Sequence, residues 1–202
     1  MQLNKTDIAA LEKRHRTTLV NSLAGFRTAV LVGTVSPEGS TNLAIFNSLT
    51  HLGSDPALLG LISRPDAVQR DTLSNITATG HYTLNFVPAR HYARAHQTSA
   101  RYDRGVSEFD RAGLTPCYLP PFPAPCVEEA VVRIAMKLEE LMPIRLNGTI
   151  MIIGSIEAIS LPEGMAGEDG FINLAAADVL ISQGLDAYFS ATAIGRLPYA
   201  KP

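Results

Sequence analysis

No tryptophan occurs in this 202-residue chain, and cysteine appears only twice, at Cys117 and Cys126. Two cysteines are too few for the disulfide framework that small secreted scaffolds use in place of a core. Charge is sparse as well: Asp, Glu, Lys and Arg make up 18% of the residues, and 17 basic against 19 acidic side chains leave a formal net charge of −2. A chain with no positive excess has little to exchange for the counterions of a nucleic acid, which disfavours a basic nucleic-acid binder. No apolar run is long enough to span a bilayer. Residues 1–7 are polar and lack the apolar centre of a signal sequence. The expectation is a cytoplasmic protein with no membrane partner.

What the chain does have is apolar surface. Hydrophobic residues reach 46%, enough to offset the entropy of ordering the chain, so global disorder is excluded. The length suits one domain, 1–202, and no Gly/Ser-rich or charged linker divides it.

The apolar pattern is mostly that of strands. Ile8, Leu11, Leu19 and Leu23 recur at roughly helical spacing and predict an N-terminal helix over about 6–24, with Thr6 as cap and Gly25 as stop. Residues 29–35 and 41–49 read as two strands, joined by the turn Ser36-Pro37-Glu38-Gly39-Ser40. Residues 57–63 are almost continuously apolar, as in a strand buried on both faces. A short helix over 71–79, closed by Gly80, precedes a strand at 82–87. Segment 99–126 holds Pro116, Pro120, Pro121, Pro123 and Pro125 and predicts a long Pro-rich loop. Strands follow near 131–134 and 149–156, then a helix over 175–182. About six antiparallel strands with helices in the connections point to a mainly β protein with peripheral helices. Closing such a set into a barrel removes its exposed edges.

Most familiar chemistry is missing. There is no Gly-x-Ser-x-Gly elbow, and neither cysteine has a local cause for a lowered pKa, so both are read as unreactive. His91 and His96 are five residues apart, not the four that put two ligands on one helical face, and no metal site is predicted. The Gly-rich phosphate loops are absent too.

Two polar clusters remain. Asn47, Ser48 and Thr50 crowd amide and hydroxyl groups at a strand end. Arg64, Arg70 and Thr72 gather guanidinium groups and a hydroxyl where a strand gives way to a helix N-terminus. A phosphate dianion wants that combination of planar cations, neutral donors and unpaired backbone N–H groups.

These segments carry a resemblance. Asn42-Leu43-Ala44-Ile45-Phe46-Asn47-Ser48, Asp55-Pro56, Arg70-Asp71-Thr72-Leu73-Ser74-Asn75-Ile76, Thr79-Gly80 and Asn85 stand in the order found in the flavin reductase-like, FMN-binding split-barrel proteins, including the flavoredoxin group. Ser99, Glu108-Phe109 with Gly113-Leu114, and Arg196-Leu197-Pro198-Tyr199 resemble the later motifs. Ile45 replaces a usual proline, Asn47 a serine and Arg70 a lysine, and a Glu-Cys pair is missing near Ala135-Met136. The resemblance implies a Greek-key split β-barrel and a homodimer with FMN near its interface. Arg64, Arg70 and Thr72 would hold the phosphate, Asn47 and Ser48 would lie beside the ring system, and Ser99 would reach the cofactor from a second loop. Asn42, Asn75 and Asn85 are read as structural. The implied activity is hydride transfer from NADH or NADPH to flavin, with onward transfer to free flavin, an oxygenase or another acceptor. The alternative is a non-enzymatic FMN-binding electron carrier of flavoredoxin type. No catalytic acid or base is expected, because the flavin supplies the redox chemistry.

Overall fold

The computed structural model describes residues 1–65, 71–103 and 105–201. In chain order the elements are α1 (Lys5–Ala10), α2 (Lys13–Ser22), β1 (Arg27–Thr28), β2 (Val30–Val35), β3 (Thr41–Phe46), β4 (Thr50–Ser54) and β5 (Ala57–Ser63). Then come α3 (Asp71–Thr79), β6 (His81–Phe86), a 3₁₀ turn at Ala89–His91, α4 (Tyr92–Gln97), α5 (Glu108–Ala112), β7 (Pro116–Cys117) and β8 (Cys126–Val127). The chain continues through β9 (Val132–Ile144), β10 (Thr149–Ser160), β11 (Ile181–Gln183) and β12 (Ala187–Phe189). No helix among the described residues is long and apolar enough to cross a membrane.

Seven strands form one antiparallel sheet in the order β3-β2-β6-β9-β10-β5-β4. The two edge strands, β3 and β4, are consecutive in the chain and joined only by Asn47, Ser48 and Leu49. Four residue steps reach at most about 14 Å, so the sheet must curl until its own edges nearly meet. The result is a barrel with a seam. Residues 47–49 bridge that seam, where sequence reasoning places two candidate site residues.

The strands alternate between two cores. Val30 and Val32 of β2 join Leu61, Tyr82, Leu84, Ile134, Met136 and Ile152 in one cluster, which Leu73 and Ile76 of α3 also enter. Leu31 and Leu43 pack on the other face with Ala95, Phe109, Leu114 and Leu180. That double burial explains why Val30, Leu31 and Val32 are apolar in succession in β2. Gly33 ends that run for a steric reason: a Cβ there would lie 2.1 Å from the Pro125 carbonyl oxygen and 2.6 Å from Thr83 Oγ1. Gly154 in β10 likewise leaves room for the buried Tyr82 hydroxyl, 2.2 Å from where its Cβ would sit.

Three expectations need correction. The helix over 6–24 is two helices. Leu11 and Glu12 turn extended (ψ 144° and 142°), and the Glu12 carboxylate accepts the His15 N–H at 3.0 Å, starting a new helix. Asn4, not Thr6, caps α1 in a reciprocal box with Asp7. The Pro-rich segment 99–126 is not wholly loop, because α5 and the short ladder of β7 with β8 lie within it. No helix forms over 175–182. Asp178 adopts φ 50°, the Leu180 N–H donates to Val87 O and Ala29 N–H donates to Leu180 O. The sheet thus claims the backbone groups a helix would need, and β11 pairs with β1 and β12 instead.

Candidate functional site

A cavity of about 600 Å³ opens beside the seam, a size suited to a small molecule or cofactor. One wall is built by β3, the end of β5 and the start of α3. The other is built by 98–102, the first residue of α5 and the turn between β11 and β12.

The first wall is fixed by a buried polar network. Asn42 Nδ2 donates to Thr34 Oγ1 at 3.2 Å and to Thr72 Oγ1 at 3.0 Å, and Asn75 Nδ2 donates to Thr34 Oγ1 at 3.1 Å. All four residues are buried, so these bonds strongly constrain geometry. The consequence falls on Thr72: with Asn42 occupying one lone pair, its hydroxyl hydrogen is left to donate. Thr72 stands in the first turn of α3, where backbone N–H groups have no intrahelical partner and the helix dipole favours an anion.

Five of the six predicted residues, Asn47, Ser48, Arg64, Thr72 and Ser99, line this cavity. Arg70 lies outside the described residues. The roles of two are narrower than the sequence suggests. Ser48 Oγ accepts the Ile62 N–H at 2.9 Å and donates to Ile62 O at 3.2 Å, stitching the link to β5. Asn47 Nδ2 donates to Gly184 O at 2.7 Å, which fixes the amide and leaves its second N–H and its carbonyl oxygen for a ligand.

Sequence reasoning missed other lining groups. Arg101 and Tyr102 lie two and three residues after Ser99, and that nearness was the available signal. Glu108 accepts the Leu43 N–H at 3.0 Å, and burial, with the charge of Asp71 adding to it, pushes its carboxyl above the usual carboxylate range. Tyr188 lines the rim, its hydroxyl 2.9 Å from His96 Nδ1 and its phenol pushed up by burial. Ser182 is the least foreseeable. It sits in β11, lines the cavity, is 5% exposed, and its hydroxyl has no hydrogen-bond partner among the described residues. A buried orphan hydroxyl costs roughly 1–3 kcal/mol unless something pairs with it.

Other chemistry is not assembled. Burial pushes Cys126 up to about 11, and Cys117 upward as well, so neither is an activated thiol. Among the described residues no group of three or more His, Cys, Asp or Glu side chains could hold a metal ion.

The fold and cavity define a split-barrel protein with a pocket at its seam. The family model for the flavin reductase like domain matches residues 23–179, and the chain belongs to that family. It is similar along 99% of its length to a solved split-barrel protein from Shewanella frigidimarina NCIMB 400, provisionally assigned as a flavin reductase. The identity is 46%, the TM-score 0.95, and all of that chain is covered. The nitrilotriacetate monooxygenase component B from Bacillus cereus shares the fold at 20% identity, with a TM-score of 0.84 and 98% of each chain covered. Among curated proteins, an uncharacterized protein of Aquifex aeolicus (strain VF5) is 30% identical over 115 residues. That stretch is 56% of this chain and 59% of the relative, so the match spans little more than half of that protein.

Proposed function

We propose that the protein is an FMN-dependent reductase that uses NADH or NADPH and passes electrons to free flavin, an oxygenase or another acceptor. The observation that carries this reading is the lining of the cavity: Arg64, Thr72 in the first turn of α3, and Ser182, whose hydroxyl has no partner among the described residues, border the same space. The residues fit the group: a phosphate ester takes the guanidinium, hydroxyl and backbone donors, and a polar ring atom satisfies a buried hydroxyl. Arg70 is assigned to the phosphate by the sequence resemblance alone.

FMN, when bound, supplies the redox centre that accepts hydride. The chain binds, orients and shields. Arg64 and Thr72 anchor the phosphate end. The Asn47 amide would lie beside the ring system, and Ser48 holds the seam link that carries Asn47. Ser99 closes from the opposite wall. Phe46 and Leu185 line the cavity and would shield a bound ring from water. No side chain need act as acid or base, because the flavin supplies the redox chemistry.

A homodimer belongs to the same proposal. Val20, Leu23 and Phe26 are 52%, 75% and 65% exposed, and Phe26 meets the half-exposed Phe189 edge-on at 4.9 Å. This apolar patch adjoins a smaller cavity, lined by Asn21, Ala24 and Gly25, that continues the site through Asn47 and Gly184. A second copy covering it would close the pocket and remove the patch from water. The proposed setting is the cytoplasm.

The test is anaerobic stopped-flow mixing of the FMN-loaded protein with NADH or NADPH. Rapid bleaching of the flavin absorbance is expected. A spectrum unchanged on a physiological timescale would favour the electron-carrier alternative.

A further inference from the structure

The two cysteines, far apart in any reading of 99–126 as loop, are direct partners in the ladder of β7 with β8: Cys117 pairs with Cys126 and Pro116 with Val127. The class of that pair can be worked out. The Glu128 N–H donates to Thr115 O at 2.9 Å. Narrow and wide pairs alternate along an antiparallel ladder, so Thr115 with Glu128 and Cys117 with Cys126 are both hydrogen-bonded pairs, with Cα atoms about 5.5 Å apart. That separation lies within the Cα range disulfides span, and closing the bond requires the Cβ atoms of this hydrogen-bonded pair to draw in from about 5.5 Å to about 4 Å, a shift that falls to the partly exposed Cys117 side. Register partners also project their side chains to one side of the ribbon.

The surroundings hold the pair in place. The Thr83 hydroxyl donates to Pro125 O at 2.6 Å, the Val127 N–H donates to Asn85 Oδ1 at 2.9 Å, and Arg133 Nε donates to Val127 O at 2.9 Å. These bonds fasten β8 to β6 and β9 from both sides of Cys126. Access is asymmetric: Cys126 is fully buried and Cys117 partly exposed. A small disulfide therefore meets Cys117 first.

We propose that Cys117 and Cys126 are an oxidative modification site that closes to an intrachain disulfide on exposure to a low-molecular-weight disulfide such as oxidised glutathione. The Cys117 thiolate attacks glutathione disulfide, forming a mixed disulfide and releasing one glutathione. The Cys126 thiolate then attacks the Cys117 sulfur, forming the Cys117–Cys126 bond and releasing a second glutathione. The two protein thiols lose two protons and two electrons, and the reagent disulfide takes up both as two thiols. Burial raises both thiols, so the reaction is slow at neutral pH and accelerates as pH rises. The bond would tie the segment leaving α5, the helix that presents Glu108 to the cavity, to the barrel wall. The proposal is independent of flavin binding.

The folded full-length protein is incubated with oxidised glutathione at about pH 8.5, near the ordinary thiol pKa, then alkylated, digested with trypsin and weighed. The tryptic peptide 112–133 contains both cysteines. The expected product is this peptide lighter by two hydrogens and closed to alkylation, restored by a reducing agent. Cys126→Ser should stop at a glutathione adduct on Cys117. The proposal is overturned if the wild-type peptide is alkylated at both positions, if it also stops at the adduct, or if it closes only after the protein is unfolded in urea.

Discussion

The two walls of the cavity are built on different principles. The wall formed by β3 and α3 is rigid before any ligand arrives: Thr34, Asn42, Thr72 and Asn75 are buried and bonded to one another. The facing wall holds Ser99, Ala100 and Arg101 exposed, on a segment that follows a short helix. A preorganised wall gives affinity, because its donors lose no further freedom on binding. An exposed wall gives access and adjusts to what enters. In this reading the phosphate corner decides whether flavin binds, and the facing loop modulates what reaches it.

Substitutions can break that contrast or sharpen it. The largest effect is expected from Asn42→Leu, which removes the amide donor from the buried Thr72 hydroxyl and one of the two from Thr34, and should cost about 2–4 kcal/mol of folding stability in urea unfolding. Stability within about 0.5 kcal/mol of wild type would show that the network is not holding the wall. Arg64→Ala should leave the fold intact but weaken FMN binding by about 1.5–3 kcal/mol, read by fluorescence titration. Thr72→Val removes one neutral donor and should cost about 0.5–1.5 kcal/mol of FMN affinity. A loss as large as that of Arg64→Ala would reverse the assignment of the anchor. Across the cavity, Ser99→Ala should change affinity by less than about 0.5 kcal/mol, and a larger loss would make the loop a second anchor.

The smallest expected effect is one of pH. Glu108 sits at the exposed wall but is itself half-buried, and its pKa is raised, chiefly by burial. Between its unfolded and folded values the native state therefore binds more protons, and stability falls as pH rises through that window. Glu108→Gln keeps an acceptor for the Leu43 N–H and removes the charge. Its unfolding midpoint should decline less than that of wild type over the same acid range, and parallel profiles would remove Glu108 from the account.

The legibility of these features in the sequence follows from their locality. The β2–β3 turn was readable because Pro37 and Gly39 dictate backbone angles on their own; Ser36 and Ser40 then close it at 2.8 Å. α3 was readable because Leu73 and Ile76 face one core and Gly80 ends the helix. Arg64 and Thr72 lie close enough in sequence to be noticed together. What escaped notice depends on distant partners. β11 has helix-compatible neighbours, yet Ala29 and Val87 recruit Leu180 into the sheet, and Ser182 reaches the cavity only for that reason. β4 escaped because it pairs with β5 at an edge after a link too short to register as a turn. The Asn42–Thr72 bond spans 30 residues, so Asn42 could be read as structural but not as the group that orients the Thr72 hydroxyl.

Everything assigned to the cavity depends on an anion seated at the start of α3. Titration of the purified protein with FMN and with riboflavin, which lacks the phosphate, isolates that contribution. The account predicts that FMN binds wild type more tightly than riboflavin by at least about 1.5 kcal/mol, and that Arg64→Ala removes most of the difference. Equal affinities for the two ligands in wild type would contradict it.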